Sequence, residues 1–192
     1  MKGFRLAALI VALANLAYFG VEFAMALGIG SVSLFADSID FLEDTAVNLL
    51  IVVALGWSAR RRGAVGMALA AVLLAPALAT LWMAWRKFTD PAPPAPEPLA
   101  LTALGALAVN FGCALLLARH RGRHGSLSRA AFLSARNDVF ANLAIIATGV
   151  ATIFIRSGWP DLVVGLGIAA VNADAAREVL EAARKERLAP EP

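Results

Sequence analysis

The sequence predicts an all-α integral membrane protein of six transmembrane helices with both termini in the cytoplasm. Three observations lead there. Hydrophobic residues make up 60% of the 192 positions, with a mean hydropathy of +0.73, where soluble domains are about half apolar. The apolar residues fall into six runs, each near the roughly 20 residues that span a bilayer. The basic residues gather in connections that fall on one side. The net charge of +3 therefore marks topology rather than nucleic-acid binding, since the basic residues sit in short clusters between apolar runs. The single cysteine, Cys113, excludes an internal disulfide and a thiolate zinc cluster.

The first span runs from Leu6 to Leu27. Its basic lead, Met1 to Arg5, suits a signal peptide, but the apolar run is too long for one and more spans follow, so it reads as a retained helix. The uncharged Gly28-Ile29-Gly30-Ser31 turns the chain into the second span, Val32 to Trp57, and predicts an antiparallel hairpin. Arg60, Arg61 and Arg62 precede the third span, Gly63 to Trp85, which contains a kinking Pro76 and ends in interfacial Trp82 and Trp85. Pro91 to Pro98 reads as an extended polyproline linker. The fourth span is Leu99 to Ala118. Arg119, His120, Arg121, Arg123, His124 and Arg129 lead into the fifth, Ala130 to Ile155. Gly158-Trp159-Pro160 turns into the sixth, Leu162 to Leu180, before a tail with Arg184, Lys185 and Arg187. Only Arg86, Lys87 and Arg156 fall on the side opposite the other basic clusters, which places both termini inside by the positive-inside rule. Residues 1–188 are thus read as one transmembrane domain with no soluble C-terminal domain.

The costliest stretch is Asp37-Ser-Ile-Asp40-Phe-Leu-Glu43-Asp44, which puts four carboxylates into the second span. An ionised side chain at mid-bilayer costs about 2.5 to 3.5 kcal/mol on insertion scales, so such residues face a bundle interior, water, a counter-charge or a cation. Helical geometry brings Asp37, Asp40, Asp44 and Asn48 onto one face, with Glu43 to its side. Carboxylates one turn apart repel unless a cation or proton lies between them, which suits alternating occupation by a metal ion and by protons. The fifth span offers a partner stripe of Ser134, Asp138 and Asn142, flanked by Asn137. Arg136 points elsewhere, placed to neutralise an acid such as Glu43. On the first span Asn15, Tyr18 and Glu22 share a face. Asn15, Tyr18 and Asn110 read as interhelical hydrogen-bonding residues, Cys113 as inert packing, and Asn172 and Asp174 as solvated residues near the cytoplasmic end. Glu22, Asp37 and Glu43 are left as protonated, paired or on the ion path.

These residues resemble the cation diffusion facilitator family of metal-proton antiporters. Ser31-Val-Ser-Leu-Phe-Ala-Asp37-Ser-Ile-Asp40-Phe-Leu-Glu43-Asp44 is similar to the family's second-helix motif, which ends in His/Asp-x-x-x-Asp. Glu22, Asn110 and Gly158-Trp-Pro-Asp161 are further matches. The resemblance implies that Asp40 and Asp44 are metal ligands together with Asp138, and that Ser134 stands where the family carries its remaining ligand on the fifth helix. It also implies proton-coupled efflux of a transition-metal ion such as zinc, cobalt, cadmium, iron or manganese, a homodimer, and a bacterial inner membrane. No permanently bound cofactor and no enzymatic activity are expected; the divalent ion is the substrate, and protons and lipid are the other partners. The family's cytoplasmic metal-sensing domain is missing from the sequence as read. An all-oxygen donor set suits harder ions, although carboxylates also bind zinc and iron(II). The alternative is a non-transporting membrane subunit or metal sensor that keeps the transporter fold. An intramembrane phosphotransferase ranks last, because Asp44-Thr-Ala-Val lacks the glycine that such enzymes place after their first acid.

Overall fold

The computed structural model describes residues 2–54, 57–119 and 125–188. Its helices are α1 (Lys2–Ile29), α2 (Val32–Ala54), α3 (Ala59–Thr89), α4 (Pro96–Ala118), α5 (Gly125–Ile155) and α6 (Trp159–Leu188), with no strand among the described residues. His120, Arg121, Arg123 and His124 lie outside them. By length and composition, Gly3–Ile29, Pro96–Ala118 and Ala135–Ile155 are apolar enough to cross a membrane. The carboxylates of α2 keep that helix out of this group, although it has 23 residues.

Several helices run past the limits read from the sequence: α5 already begins at Gly125, α6 continues to Leu188, and α3 and α4 are longer for physical reasons. Pro96 and Pro98 do not belong to an extended linker, because α4 begins at Pro96. The first turn of a helix needs no amide donors from these positions, so proline fits there. The arginine triplet does not separate α2 from α3 but opens α3, which continues past the tryptophans to Thr89. Arginine is a good helix former, and its long stem lets the charge leave the hydrocarbon without ending the helix.

The predicted α1–α2 hairpin is present. Gly30 adopts a left-handed φ of 66°, and the Ser31 N–H reaches back to the Ala26 carbonyl at 3.0 Å, the bond that closes a helix with glycine one position past its cap. Ser31 then caps α2, accepting the Leu34 N–H at 3.2 Å. The next two donors of α2 are satisfied by a residue distant in sequence. Asp161, fully buried in the first turn of α6, accepts the N–H groups of Val32 at 2.8 Å and Ser33 at 3.1 Å. Its carboxylate also accepts the hydroxyls of Ser31 at 2.7 Å and Ser33 at 2.6 Å, and pairs with Lys87 at 3.6 Å. Lys87 in turn donates to the Gly30 carbonyl at 2.7 Å. One carboxylate therefore clasps the start of α2, the end of α3 and the start of α6.

α2 is the hub of the bundle, packing on α1, α3, α5 and α6, while α4 packs on α1 and α5, and α3 on α6. Two apolar layers result. Phe4, Val11, Ile51, Cys113 and Leu117 close one end, and Leu34, Phe35, Leu99, Ile145 and Ile168 close the other. The polar residues of α1, α2, α4 and α5 lie between them. Outside, Leu13, Leu78, Leu104, Phe111, Phe140 and Val163 are exposed, as a lipid-facing surface requires. Trp85, Phe88 and Trp159 form an aromatic group with centroid separations of 6.4 and 5.5 Å where the end of α3 meets the start of α6, as in an interfacial belt.

Close packing of α6 on α2 depends on Gly165. A Cβ there would meet Ser33 N and Val32 C at 2.8 Å, and backbone atoms cannot yield without moving α2. Gly165→Ala is expected to destabilise the bundle by about 2 kcal/mol, read as a fall in the thermal unfolding midpoint in detergent. The opposite sign is expected at the end of α5. Arg156 holds a φ of 50°, and its N–H bonds to the Thr152 carbonyl at 3.0 Å. Glycine avoids the steric penalty of this left-handed position, so Arg156→Gly is expected to raise stability by about 1 kcal/mol in the same assay.

Candidate cation site

The acids of α2 turn inward, as its apolar neighbours dictate. Phe35, Ala36 and Ile39 bury against α4, α5 and α6 residues, and this register carries Asp37, Asp40 and Asp44 into the polar layer. Asp37 is completely buried, whereas Asp40, Glu43 and Asp44 are half-buried. Across from them, α5 contributes Asp138, also half-buried. Asp138 interacts most strongly with Asp44, within hydrogen-bonding reach, and Asp40 interacts most strongly with Asp138. Glu43 stands to the side, its strongest charged neighbour being Asp44. The structure thus brings Asp40, Asp44 and Asp138 into one field of like charge. Among the described residues no three His, Cys, Asp or Glu side chains form a ready metal cage; the acids approach one another in pairs.

Neutral amides hold these acids in two parallel relays, both starting on α4. In one, Cys113 Sγ donates to Asn15 Oδ1 at 3.7 Å, and Asn15 Nδ2 donates to Asp44 Oδ2 at 3.3 Å. In the other, Asn110 Nδ2 donates to Asn142 Oδ1 at 3.0 Å, and Asn142 Nδ2 donates to Asp37 Oδ2. Each amide oxygen is occupied from α4, so each amide must turn its N–H toward an acid of α2. Asn142→Leu, which removes that donor from a fully buried carboxylate, is expected to cost about 2 kcal/mol of stability, measured by thermal unfolding in detergent.

Several sequence expectations change here. Arg136 is exposed and donates to Asn137 Oδ1 at 3.3 Å rather than pairing with Glu43; its helical position directs the guanidinium away from α2. Cys113 is buried but not inert, because it orients Asn15. Asn142 lies on the Asp138 stripe as expected, and its partner on α2 is Asp37 rather than Asp40 or Asp44. Asn48 turns back to the Asp44 carbonyl at 2.8 Å. Asn172 is half-buried and donates to the Ala36 carbonyl at 3.4 Å, across to α2, whereas Asp174 is exposed as expected. The roles of Asn15 and Tyr18 agree with the sequence reading, Tyr18 donating to the Thr102 carbonyl at 2.7 Å. Ser134 lies on α5 one turn before Asp138, and its side chain is outside the described residues.

A cavity of about 500 Å³ between α5 and α6 reaches the cluster, lined by Asp40, Asn137, Asp138, Phe140 and Asn172 among others. Two of the acids, Asp40 and Asp138, and the amides of Asn137 and Asn172 lie on its wall. Neither Lys87 nor Arg136 approaches these acids: the first bonds to Gly30 and Asp161, the second to Asn137. Carboxylates arranged this way are oxygen donors suited to a cation.

The family model for the cation efflux transmembrane domain matches residues 8–186. No curated protein matches the chain.

Proposed function

The chain belongs to the cation efflux family, a family of multi-pass membrane cation transporters, and from that premise we propose that it expels a divalent metal ion from the cytoplasm in exchange for protons. The observation that carries this reading is the convergence of Asp40, Asp44 and Asp138 from two helices on one buried layer beside a cavity. In this reading the three acids bind the ion, with Ser134 or water completing the shell. The donors are then all oxygen, which favours manganese while still admitting iron(II), zinc, cobalt and cadmium. Binding requires ionised carboxylates and so releases protons; protons arriving from the far side neutralise the same oxygens and release the ion.

Six spans with both termini inside follow from the basic clusters at the Arg60 end of the bundle and the aromatic group at the other. The locale is a bacterial inner membrane, and the working unit is a homodimer joined through membrane helices. Access switches by rocking of helices around the site. α5 packs much more closely on α4 than on α2 or α6, which supports α4 and α5 moving as a pair against the clasped α2, α3 and α6.

Equilibrium dialysis of the purified protein against each ion tests the binding step. Saturable binding of at least one ion, weakened about 100-fold in Asp44→Ala, is expected. Equal binding by the wild type and the variant would refute the assignment.

A further inference from the structure

A second pair of acids in the polar layer lies outside the proposed metal ligands. Glu22 on α1 and Asp37 on α2 are both completely buried, and their carboxyl groups stand within hydrogen-bonding reach of each other. Both oxygens of Glu22 and Oδ1 of Asp37 have no hydrogen-bond partner. The fourth oxygen, Asp37 Oδ2, accepts the Asn142 N–H, which Asn110 holds in that direction. Among the described residues no basic side chain faces the pair. The titratable groups around it are Tyr18 on α1, Asp40 on α2 and Asp138 on α5, and Asn110 of α4 is neutral. Two facing carboxylates in hydrocarbon with three bare oxygens and no counter-charge among the described side chains form an incomplete arrangement.

We propose that Glu22 and Asp37 form a proton-binding site, separate from the metal ligands, in which one proton is shared between the two carboxylates. The donor set decides for a proton over a metal ion. Only three oxygens are free, all from two side chains, and the neighbouring amide presents N–H rather than C=O. A proton on one carboxyl donates to the other, engages two of the three bare oxygens and lowers the buried charge of the pair from two to one. The Asn110–Asn142 relay holds Asp37 Oδ2 and thereby turns Oδ1 toward Glu22. Resting on the transport reading, the site has a coupling role. A divalent ion arriving at Asp40, Asp44 and Asp138 repels this proton through the short span of α2 between Asp37 and Asp40, so the proton leaves as the ion binds and returns as it departs.

Infrared spectroscopy of the full-length, metal-free protein tests the site whether or not the protein transports. At neutral pH a protonated carboxyl band is expected that vanishes in Glu22→Gln and survives in Asp138→Asn and in the exposed control Glu97→Gln. The amide introduced by Glu22→Gln donates to Asp37 as the protonated acid does, so this variant is expected to fold. Asp37→Asn provides a second test, shifting the band by replacing the partner. A spectrum unchanged by both pair substitutions would overturn the proposal. Coupling is read by adding Mn(II) or Zn(II) in weak buffer with a pH indicator. Glu22→Gln is expected to release one proton fewer per bound ion, with affinity within about threefold of wild type. Undiminished release would overturn the coupling role. If the wild type bound no ion, the transport reading would fall, and the infrared band alone would decide the site.

Discussion

Asp138→Ala is expected to abolish ion transport and to weaken divalent-ion binding by about 100-fold or more, equivalent to roughly 2.7 kcal/mol. The effect is large because Asp138 alone carries the α5 side of the acid cluster among the described side chains, and because both Asp40 and Asp44 interact with it. Removing it does not harm the fold in proportion. It takes one negative charge out of a group of repelling acids, so thermal stability without metal is expected to be unchanged or slightly higher. This pairing of lost binding with retained stability separates a ligand from a structural residue. Calorimetric titration with the responsive ion, alongside a melting curve, measures both.

The largest expected loss of stability is at Asp161. Asp161→Ala removes the acceptor for two backbone N–H groups and two hydroxyls at the start of α2. It also leaves Lys87, only 8% exposed, without its counter-charge. Leaving half of a buried pair costs about 3 to 5 kcal/mol. Asp161→Ala is therefore expected to lower the unfolding midpoint more than any of the other substitutions considered, and adding Lys87→Met is expected to restore part of the loss by removing the stranded ammonium. A double-mutant cycle in detergent measures this. Strict additivity of the two substitutions would show that the ion pair contributes nothing and that the hydrogen bonds alone hold the clasp.

The helices were legible because apolar runs of membrane length leave little choice in lipid: every backbone group must be satisfied within the helix. The acids of α2 were legible for the same reason in reverse, since charge placed in such a run needs an explanation. Their helical spacing correctly put Asp37, Asp40 and Asp44 on an inward face. The sequence could not show which partner each acid meets. Asn142 lies on the same stripe as Asp138, yet the crossing of α5 over α2 gives it to Asp37. Asn172 falls near the end of the span read from the sequence, but α6 continues to Leu188 and leans on α2 closely enough for Asn172 to reach Ala36. In the sequence Asp161 reads as part of the family-like entry to the sixth span, and Lys87 as a topology charge. Their role as the clasp comes from three chain segments meeting at one point, which periodicity does not encode. The available signal was Asp161 itself, an acid in the first turn of an apolar helix, where the helix dipole accounts for it equally well.

The measurement that bears most directly on the central claim is proton movement across proteoliposomes containing the purified protein, with Zn, Cd, Co, Fe(II), Mn, Mg and Ca added one at a time and Asp138→Ala run in parallel. Metal-dependent proton flux for one or a few of these ions, absent in the variant, is the predicted result. Silence for every ion from folded protein, or flux that persists in Asp138→Ala, would contradict it.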